Sequence, residues 1–335
     1  MGGDYAPAVV VEGAVDAVDD AKGRFSVLLV GRSDVLDIEF RRLGHRAARF
    51  REAGNLRVAH APEVIAMNDP PTAALKTKKQ SSITVGLERH RAGEVQAFVS
   101  AGNTGAVLSA STLILGRIKG VGRPTIGALI PTATTPCLLV DAGANVDCRP
   151  RHLLEFGIMG SVYVSAMLGK DRPTVGLVSI GEEDSKGNEA TLEAFSLLKQ
   201  SSLNFVGNIE GRDLLRGVVD VAVCDGFVGN IILKFGESVP GFLKARFTQY
   251  ASRGLMNKAS LLFARSGMRA VLKELDYQEQ GGVPLLGVNG VTIIGHGRSS
   301  PKAIKNMILR ADETYSHRVN QLIQDSLHGS THGTA

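Results

Sequence analysis

Thr174-Val175-Gly176-Leu177-Val178-Ser179-Ile180, followed by Gly181-Glu182-Glu183-Asp184-Ser185-Lys186-Gly187-Asn188-Glu189, is the stretch on which the fold turns. Its first part is an apolar, β-branched run without polar alternation, the pattern of a parallel strand covered on both faces. Beyond the polar loop, Leu192, Phe195 and Leu198 recur at helical spacing. Strand, glycine-containing loop and helix start make a βα unit. Such a loop gathers backbone N–H groups around Lys186, an arrangement that suits an anion. Taken alone, it is equally an ordinary charged connection.

Three further strand ends repeat the pattern. Ala97 to Ala101 opens into Gly102-Asn103-Thr104-Gly105 and an apolar helix through Leu115. Its glycines permit close backbone approach, and Asn103 and Thr104 add hydrogen-bonding side chains at a helix start. The loop is neither a Walker A motif nor a dinucleotide-binding G-x-G-x-x-G. Thr125 to Pro131 and Cys137 to Val140 read as adjacent strands, the second ending in Asp141-Ala142-Gly143-Ala144-Asn145-Val146-Asp147-Cys148. Carboxylates and an amide there stand where open α/β sheets hold ligands. Asp141 and Asn145 are also suited to tying the turn together. Val219 to Cys224 delivers Asp225-Gly226-Phe227-Val228-Gly229-Asn230 into another helix. Together the strand ends predict one shared cleft.

Elsewhere, Asp4 and Pro7 mark the start of a helix running to about Ala21. Phe25 to Gly31 reads as a strand, Asp34 to Leu43 as a helix and Leu56 to Ala61 as a strand. Asn68-Asp69-Pro70-Pro71 interrupts the pattern before Lys76, Lys78 and Lys79, a basic cluster of the kind found on solvated surfaces. Ser82 is read as the cap of a helix to Ala92. His152 to Leu168 shows little polar face and belongs in a core or a subunit interface. Leu203 to Asn208 reads as a strand and Glu210-Gly211-Arg212-Asp213 as a loop. Ser238 to Lys273 is helical in period and holds Lys244, Arg246, Arg253, Lys258, Arg265, Arg269 and Lys273 without one acidic residue. With Leu255, Met256, Leu261, Leu262, Phe263 and Met268 it reads as a basic amphipathic hairpin over 238–275, meeting a membrane surface, an acidic partner, or a dimer or core face. After a strand ending at Ile294, His296 either donates to a substrate or ties its loop.

Composition sets the outer limits. The 335 residues, 44% hydrophobic with 39 glycines and no tryptophan, fit one large α/β domain over 1–325 and a small polar tail at 326–335, read as disordered. A formal charge of +5 suits acidic or phosphorylated partners and is too weak to argue for nucleic acid. Cys137, Cys148 and Cys224 have no metal-like spacing and read as reduced, mostly buried thiols of a cytosolic protein. No export signal and no run of about 18 apolar residues is evident.

The motifs combine in one order. Met1-Gly2-Gly3-Asp4, Ser100 to Ala106, Asp141 to Cys148, Gly181-Glu182-Glu183, Lys186-Gly187-Asn188-Glu189, Asn208-Ile209-Glu210-Gly211-Arg212-Asp213, Asp225-Gly226-Phe227 and Gly229-Asn230 closely resemble the PlsX family of bacterial phosphate acyltransferases. The resemblance implies a three-layer α/β/α sandwich with a mostly parallel sheet, similar to phosphotransacetylases and to isocitrate and isopropylmalate dehydrogenases. It implies formation of acyl phosphate from acyl-(acyl carrier protein) and inorganic phosphate, toward phospholipid. It further implies a homodimer, cytoplasmic and peripherally bound to the inner face of the cell membrane, with no cofactor and no metal. Family members usually carry a strand ahead of the Met-Gly-Gly-Asp motif. A sheet lacking it would expose apolar faces and unpaired backbone, and would be less stable.

The chemistry needs no covalent nucleophile. Phosphate is a competent oxygen nucleophile at neutral pH, and the leaving thiol has a pKa of about 8.5 by analogy with cysteine. The enzyme must hold an anion against a thioester and stabilise the oxyanion. The motif match assigns charge stabilisation to Lys186 and phosphate orientation or carbonyl donation to Asn230. Asn103, Thr104 and Asn188 fall in the substrate- and phosphate-binding set; Asp141, Asn145 and His296 serve orientation or thiolate protonation. Leu255, Met256, Leu261 and Leu262 would touch membrane or carrier protein. Glu182, Glu183 and Asp184 have no evident role and should repel phosphate unless paired. Rival readings are a coenzyme A-linked phosphotransacetylase, a decarboxylating dehydrogenase without its usual acidic positions, and a non-catalytic adaptor.

Overall fold

The computed structural model describes residues 1–274 and 281–331. The chain opens with α1 (Ala8–Ala21), β1 (Val27–Gly31), α2 (Ser33–Leu43), α3 (His45–Glu52) and β2 (Leu56–His60). Then come α4 (Pro71–Thr77), α5 (Ser82–Arg91), β3 (Ala97–Ser100), α6 (Thr104–Ile114), β4 (Thr125–Ile130), β5 (Cys137–Val140) and α7 (Pro150–Leu168). The central βα units are β6 (Thr174–Val178), α8 (Glu189–Gln200), β7 (Asn204–Ile209), α9 (Gly211–Arg216), β8 (Val221–Val223) and α10 (Gly226–Ala251). Last are α11 (Leu255–Glu274), β9 (Val283–Leu286), β10 (Val291–Ile294), α12 (Pro301–Ser316) and α13 (Val319–Thr331).

Eight strands form one sheet in the order β3-β10-β9-β4-β5-β8-β6-β7. Alternate side chains explain why its strands are apolar throughout. Leu138, Val140, Val221, Val223, Val175 and Leu177 enter a core shared with α7, α8 and α13. Their neighbours Cys137, Leu139, Ala222 and Cys224 enter a second core that includes Leu214 of α9 and Val228 and Ile232 of α10. Both faces are covered, the expected α/β/α layering.

The sheet has two polarities. β3 and β10 are parallel to each other; β10–β9, β9–β4 and β4–β5 are antiparallel; β5, β8, β6 and β7 are mutually parallel. Three reversals leave β3 and β10 pointing opposite to β5, β8 and β6. The strand ends at 102–105 and 295–297 therefore leave one edge of the sheet, and those at 141–148, 181–188 and 225–230 leave the other. Strand direction thus sorts these ends into two groups, which local patterns do not show because each βα loop looks alike whichever way its strand runs.

Some local readings are also corrected. Ser81, not Ser82, caps α5, its Oγ accepting from the Thr84 N–H at 3.2 Å. Glu210 to Asp213 is the capping box and first turn of α9 rather than a loop. Pro71 does not interrupt; it occupies the first turn of α4. α3 lacked a sequence signal because its partners are remote: Arg46 pairs with Asp16 at 2.5 Å and Arg49 with Asp19 at 2.9 Å, both on α1. Helix continues to Thr331, and Leu327, only 5% exposed, joins the core, so residues 326–331 are helix rather than the disordered tail expected from 326. Residues 332–335 lie outside the described residues.

β1 and β2 form a separate two-stranded parallel sheet. Between β1 and β3 lies a cavity of about 480 Å³ lined by Val27 to Val30, Phe98 to Ala101, Ala14 and Ile304. Each of these strands has one hydrogen-bonded neighbour, so each turns an edge toward this gap.

Candidate active site

The buried knot under one sheet edge is built on Asp141. The side chain is fully buried at the end of β5. Its Oδ1 accepts from the N–H groups of Ile126 (3.2 Å), Gly143 (3.1 Å) and Ala144 (3.0 Å). Its Oδ2 accepts from the Asn145 N–H (2.7 Å) and Nδ2 (2.9 Å). Asn145 Nδ2 also donates to the Pro124 carbonyl at 2.8 Å, and the Asn145 carbonyl accepts from the Gly226 N–H at 2.7 Å. Both Asp141 oxygens and the Asn145 amide nitrogen are engaged within the protein. Of the two sequence readings, the turn-tying one describes what they do here.

This knot seats the start of α10. Asp225 caps it, Oδ1 accepting from the Val228 N–H at 2.8 Å. A Cβ at Gly229 would collide with the Asp141 carbonyl, so only glycine allows the helix this close. One residue on, Asn230 is exposed beside Gly143, where a Cβ would stand 3.3 Å from that of Asn230. Gly143 has φ of +132°, which also favours glycine.

β8 lies between β5 and β6, so the Asn230 end neighbours the loop carrying Lys186. The Lys186 N–H donates to the Glu183 carbonyl at 3.0 Å, and the Lys186 carbonyl accepts from Ser179 Oγ at 3.2 Å. The lysine stem lies over Gly181, its Cγ 2.9 Å from where a Cβ would be. Lys186 is exposed, and its ammonium makes no ion pair among the described residues. Asn188 is a helix cap: Oδ1 accepts from the Thr191 N–H at 2.9 Å and the Thr191 hydroxyl at 3.2 Å.

Two of the three neighbouring acids, Glu182 and Asp184, pair with other elements. Glu182 pairs with Arg212 at 3.1 Å, and Arg212 also holds Glu210 at 3.2 Å. Asp184 pairs with Lys199 at 3.1 Å, and Asn208 Nδ2 donates to the Glu183 carbonyl at 2.9 Å. The sequence reading assigned no role to Arg212, Asn208 or Lys199. Its only signal was the motif Asn208 to Asp213, whose partner loop is adjacent in space and distant in sequence.

The remaining expected residues gather at the opposite edge. Asn103 is buried as the cap of α6: Oδ1 accepts from the Ala106 N–H at 3.0 Å. Its Nδ2 faces the carbonyls of Ala66 (3.2 Å), Met67 (3.2 Å) and Asp69 (2.9 Å). It is a tie between loops. Thr104 is exposed in the first turn of α6. The exposed His296 accepts at Nδ1 from the Arg298 N–H at 3.1 Å. Its loop meets the opening motif through the Asp4 N–H, which donates to the Gly297 carbonyl at 2.9 Å. Asn103, Thr104 and His296 thus follow strands that run opposite to those preceding Lys186 and Asn230.

Thiols supply no nucleophile at the Lys186 edge. Burial, and then the Asp141 carboxylate, push the Cys148 thiol up to about 12, and burial pushes Cys224 well above the ordinary range. Among the described residues no cluster of His, Cys, Asp or Glu is grouped to hold a metal.

A family model described as "Fatty acid synthesis protein" matches residues 1–322. A phosphate acyltransferase of Pelotomaculum thermopropionicum is 46% identical over 327 residues, 98% of this chain and 93% of that protein. Another, from Chlorobaculum tepidum, is 44% identical over 336 residues, 98% of this chain and all of that protein. The chain belongs to the PlsX family of phosphate acyltransferases. Members of this family are acyltransferase enzymes, and the Lys186 edge is to be judged against that chemistry. In fold, the chain is similar to a phosphotransacetylase from Streptococcus pyogenes, with a TM-score of 0.59 at 15% identity over 91% of both chains. It is also similar to the EutD phosphotransacetylase from Staphylococcus aureus, with a TM-score of 0.53 at 12% identity over 91% of this chain and 99% of that one.

Proposed function

We propose that this chain converts acyl-(acyl carrier protein) and inorganic phosphate to acyl phosphate, a precursor for phospholipid, by direct attack of phosphate on the thioester. The observation that carries the reading is the ammonium of Lys186, unpaired among the described residues, in a loop whose Glu182 and Asp184 are bound elsewhere. A phosphate oxygen attacks the thioester carbonyl carbon, the carbonyl becomes an oxyanion, and collapse breaks the C–S bond and releases thiolate. Lys186 draws in the phosphate and offsets charge as it moves to the oxyanion; Asn230 orients phosphate or donates to the oxyanion.

The test is hydroxylamine trapping of the product. Acyl hydroxamate should form in a phosphate-dependent manner from acyl-(acyl carrier protein), and faster than from acyl-coenzyme A. Equal or better use of the coenzyme A thioester favours the phosphotransacetylase reading. Absence of phosphate-dependent hydroxamate with either donor removes the proposal.

The same proposal places the protein in the cytoplasm as a homodimer peripheral to the inner face of the cell membrane, where acyl phosphate is consumed. α10 and α11 support it: Leu255 and Met256 are 86% and 87% exposed, Leu262 is exposed, and Leu261 is half-buried. No helix among the described residues is long and apolar enough to cross a membrane. Anionic lipid attracts such a basic, apolar surface, at about 1 kcal/mol for each Lys or Arg near it. Replacing Leu255, Leu261 and Leu262 by Glu should abolish co-sedimentation with anionic vesicles. Unchanged sedimentation assigns these leucines to packing between subunits instead.

A further inference from the structure

We propose that Arg212 and Lys199 are positioning residues that hold Glu182 and Asp184 of the 181–188 loop away from the anion received by Lys186; this rests on the reaction proposed above. The loop carries Glu182, Glu183 and Asp184 immediately before Lys186, a sequence that by itself repels phosphate. Arg212 on α9 reaches Glu182, and Lys199 on α8 reaches Asp184, each at 3.1 Å. The two cations approach from different elements, so the loop is clamped at both acids. Asn208 ties the loop backbone at the Glu183 carbonyl, while the Glu183 carboxylate stays over Gly181 beside the Lys186 stem.

Arg212 is itself fixed. It bridges Glu182 to Glu210, and Glu210 is engaged as the cap of α9. Both pairs are exposed, with side-chain exposures of 57% and 64% for Arg212 and Glu182, and 64% and 68% for Lys199 and Asp184. Exposed pairs contribute little to folding. Their strategic value is local. Removing either cation restores an uncompensated carboxylate near the phosphate site without opening the core.

Arg212→Gln should raise the KM for phosphate roughly five- to tenfold at low ionic strength, leave kcat within about twofold, and keep the melting temperature. Added salt should shrink the difference, because screening weakens repulsion between exposed charges. The decisive variant is Glu182→Gln in the Arg212→Gln background, which removes the freed charge and should return the phosphate KM to near wild type. Lys199→Gln and its rescue by Asp184→Asn form an independent arm that needs no change to α9. An unchanged phosphate KM in both single variants, or raised values that neither carboxamide rescues, overturns the proposal. Wild-type protein without phosphate-dependent product would instead overturn the reaction on which it rests, a result visible before any variant is made.

Discussion

Lys186→Ala lowers acyl phosphate formation by at least about a hundredfold while the protein melts as wild type does. Removal of one donor to a developing oxyanion typically costs about 10² to 10³ in rate. In the proposed reaction Lys186 both attracts phosphate and compensates the oxyanion, so its loss should fall on kcat as well as on the phosphate KM. The fold should not respond, because the side chain is exposed and its ammonium makes no ion pair among the described residues. Asn230→Ala should show a smaller loss, also with an unchanged melt, since its side chain is exposed on the rim beside Gly143. Near-wild-type hydroxamate formation by both folded variants would remove the assignment of this edge as the catalytic centre.

Asp141→Ala strongly destabilises the fold rather than only silencing the enzyme. Each orphaned buried donor costs about 1 to 3 kcal/mol, and this substitution leaves the N–H groups of Ile126, Gly143, Ala144 and Asn145 without their acceptor. After partial relaxation the net loss should be about 3 to 5 kcal/mol, a large share of a typical domain's stability. Asp141→Asn is no remedy. Its amide places a donor where one carboxylate oxygen accepts from either Asn145 or the other N–H groups. Urea denaturation of both variants measures the effect; midpoints near wild type would show that the knot is not what seats α10. The contrast with Lys186 separates a residue that organises this sheet edge from one to which the proposed reaction assigns the chemistry.

Much of the fold was legible before the structure. The run from Thr174 to Val178 is apolar on both faces because α7 and α8 cover one side and α9 and α10 lie over the other half of this sheet. Loops following such strands are short and polar, and glycines mark them. What the loop residues do was less legible. Asn103, Asn145 and Asn188 have the same side chain, at similar positions after strands, as Asn230. The first three are spent on caps and turns, and of the four only Asn230 is exposed with no such duty among the described residues. Amide chemistry is identical in all of them; the difference is which backbone groups lie within reach.

The sequence by itself determined the α/β class, the family through its ordered motifs, the strand ends that carry polar loops, and the basic apolar character of α10 to α11. Tertiary structure decided that the loops divide between two edges, that the acids before Lys186 are held by Arg212 and Lys199, and that Asp141 builds the site without entering it. The reason is physical. Periodicity and turn chemistry act over a few residues, whereas strand direction, hydrogen-bond saturation and charge neutralisation depend on partners brought together from distant parts of the chain.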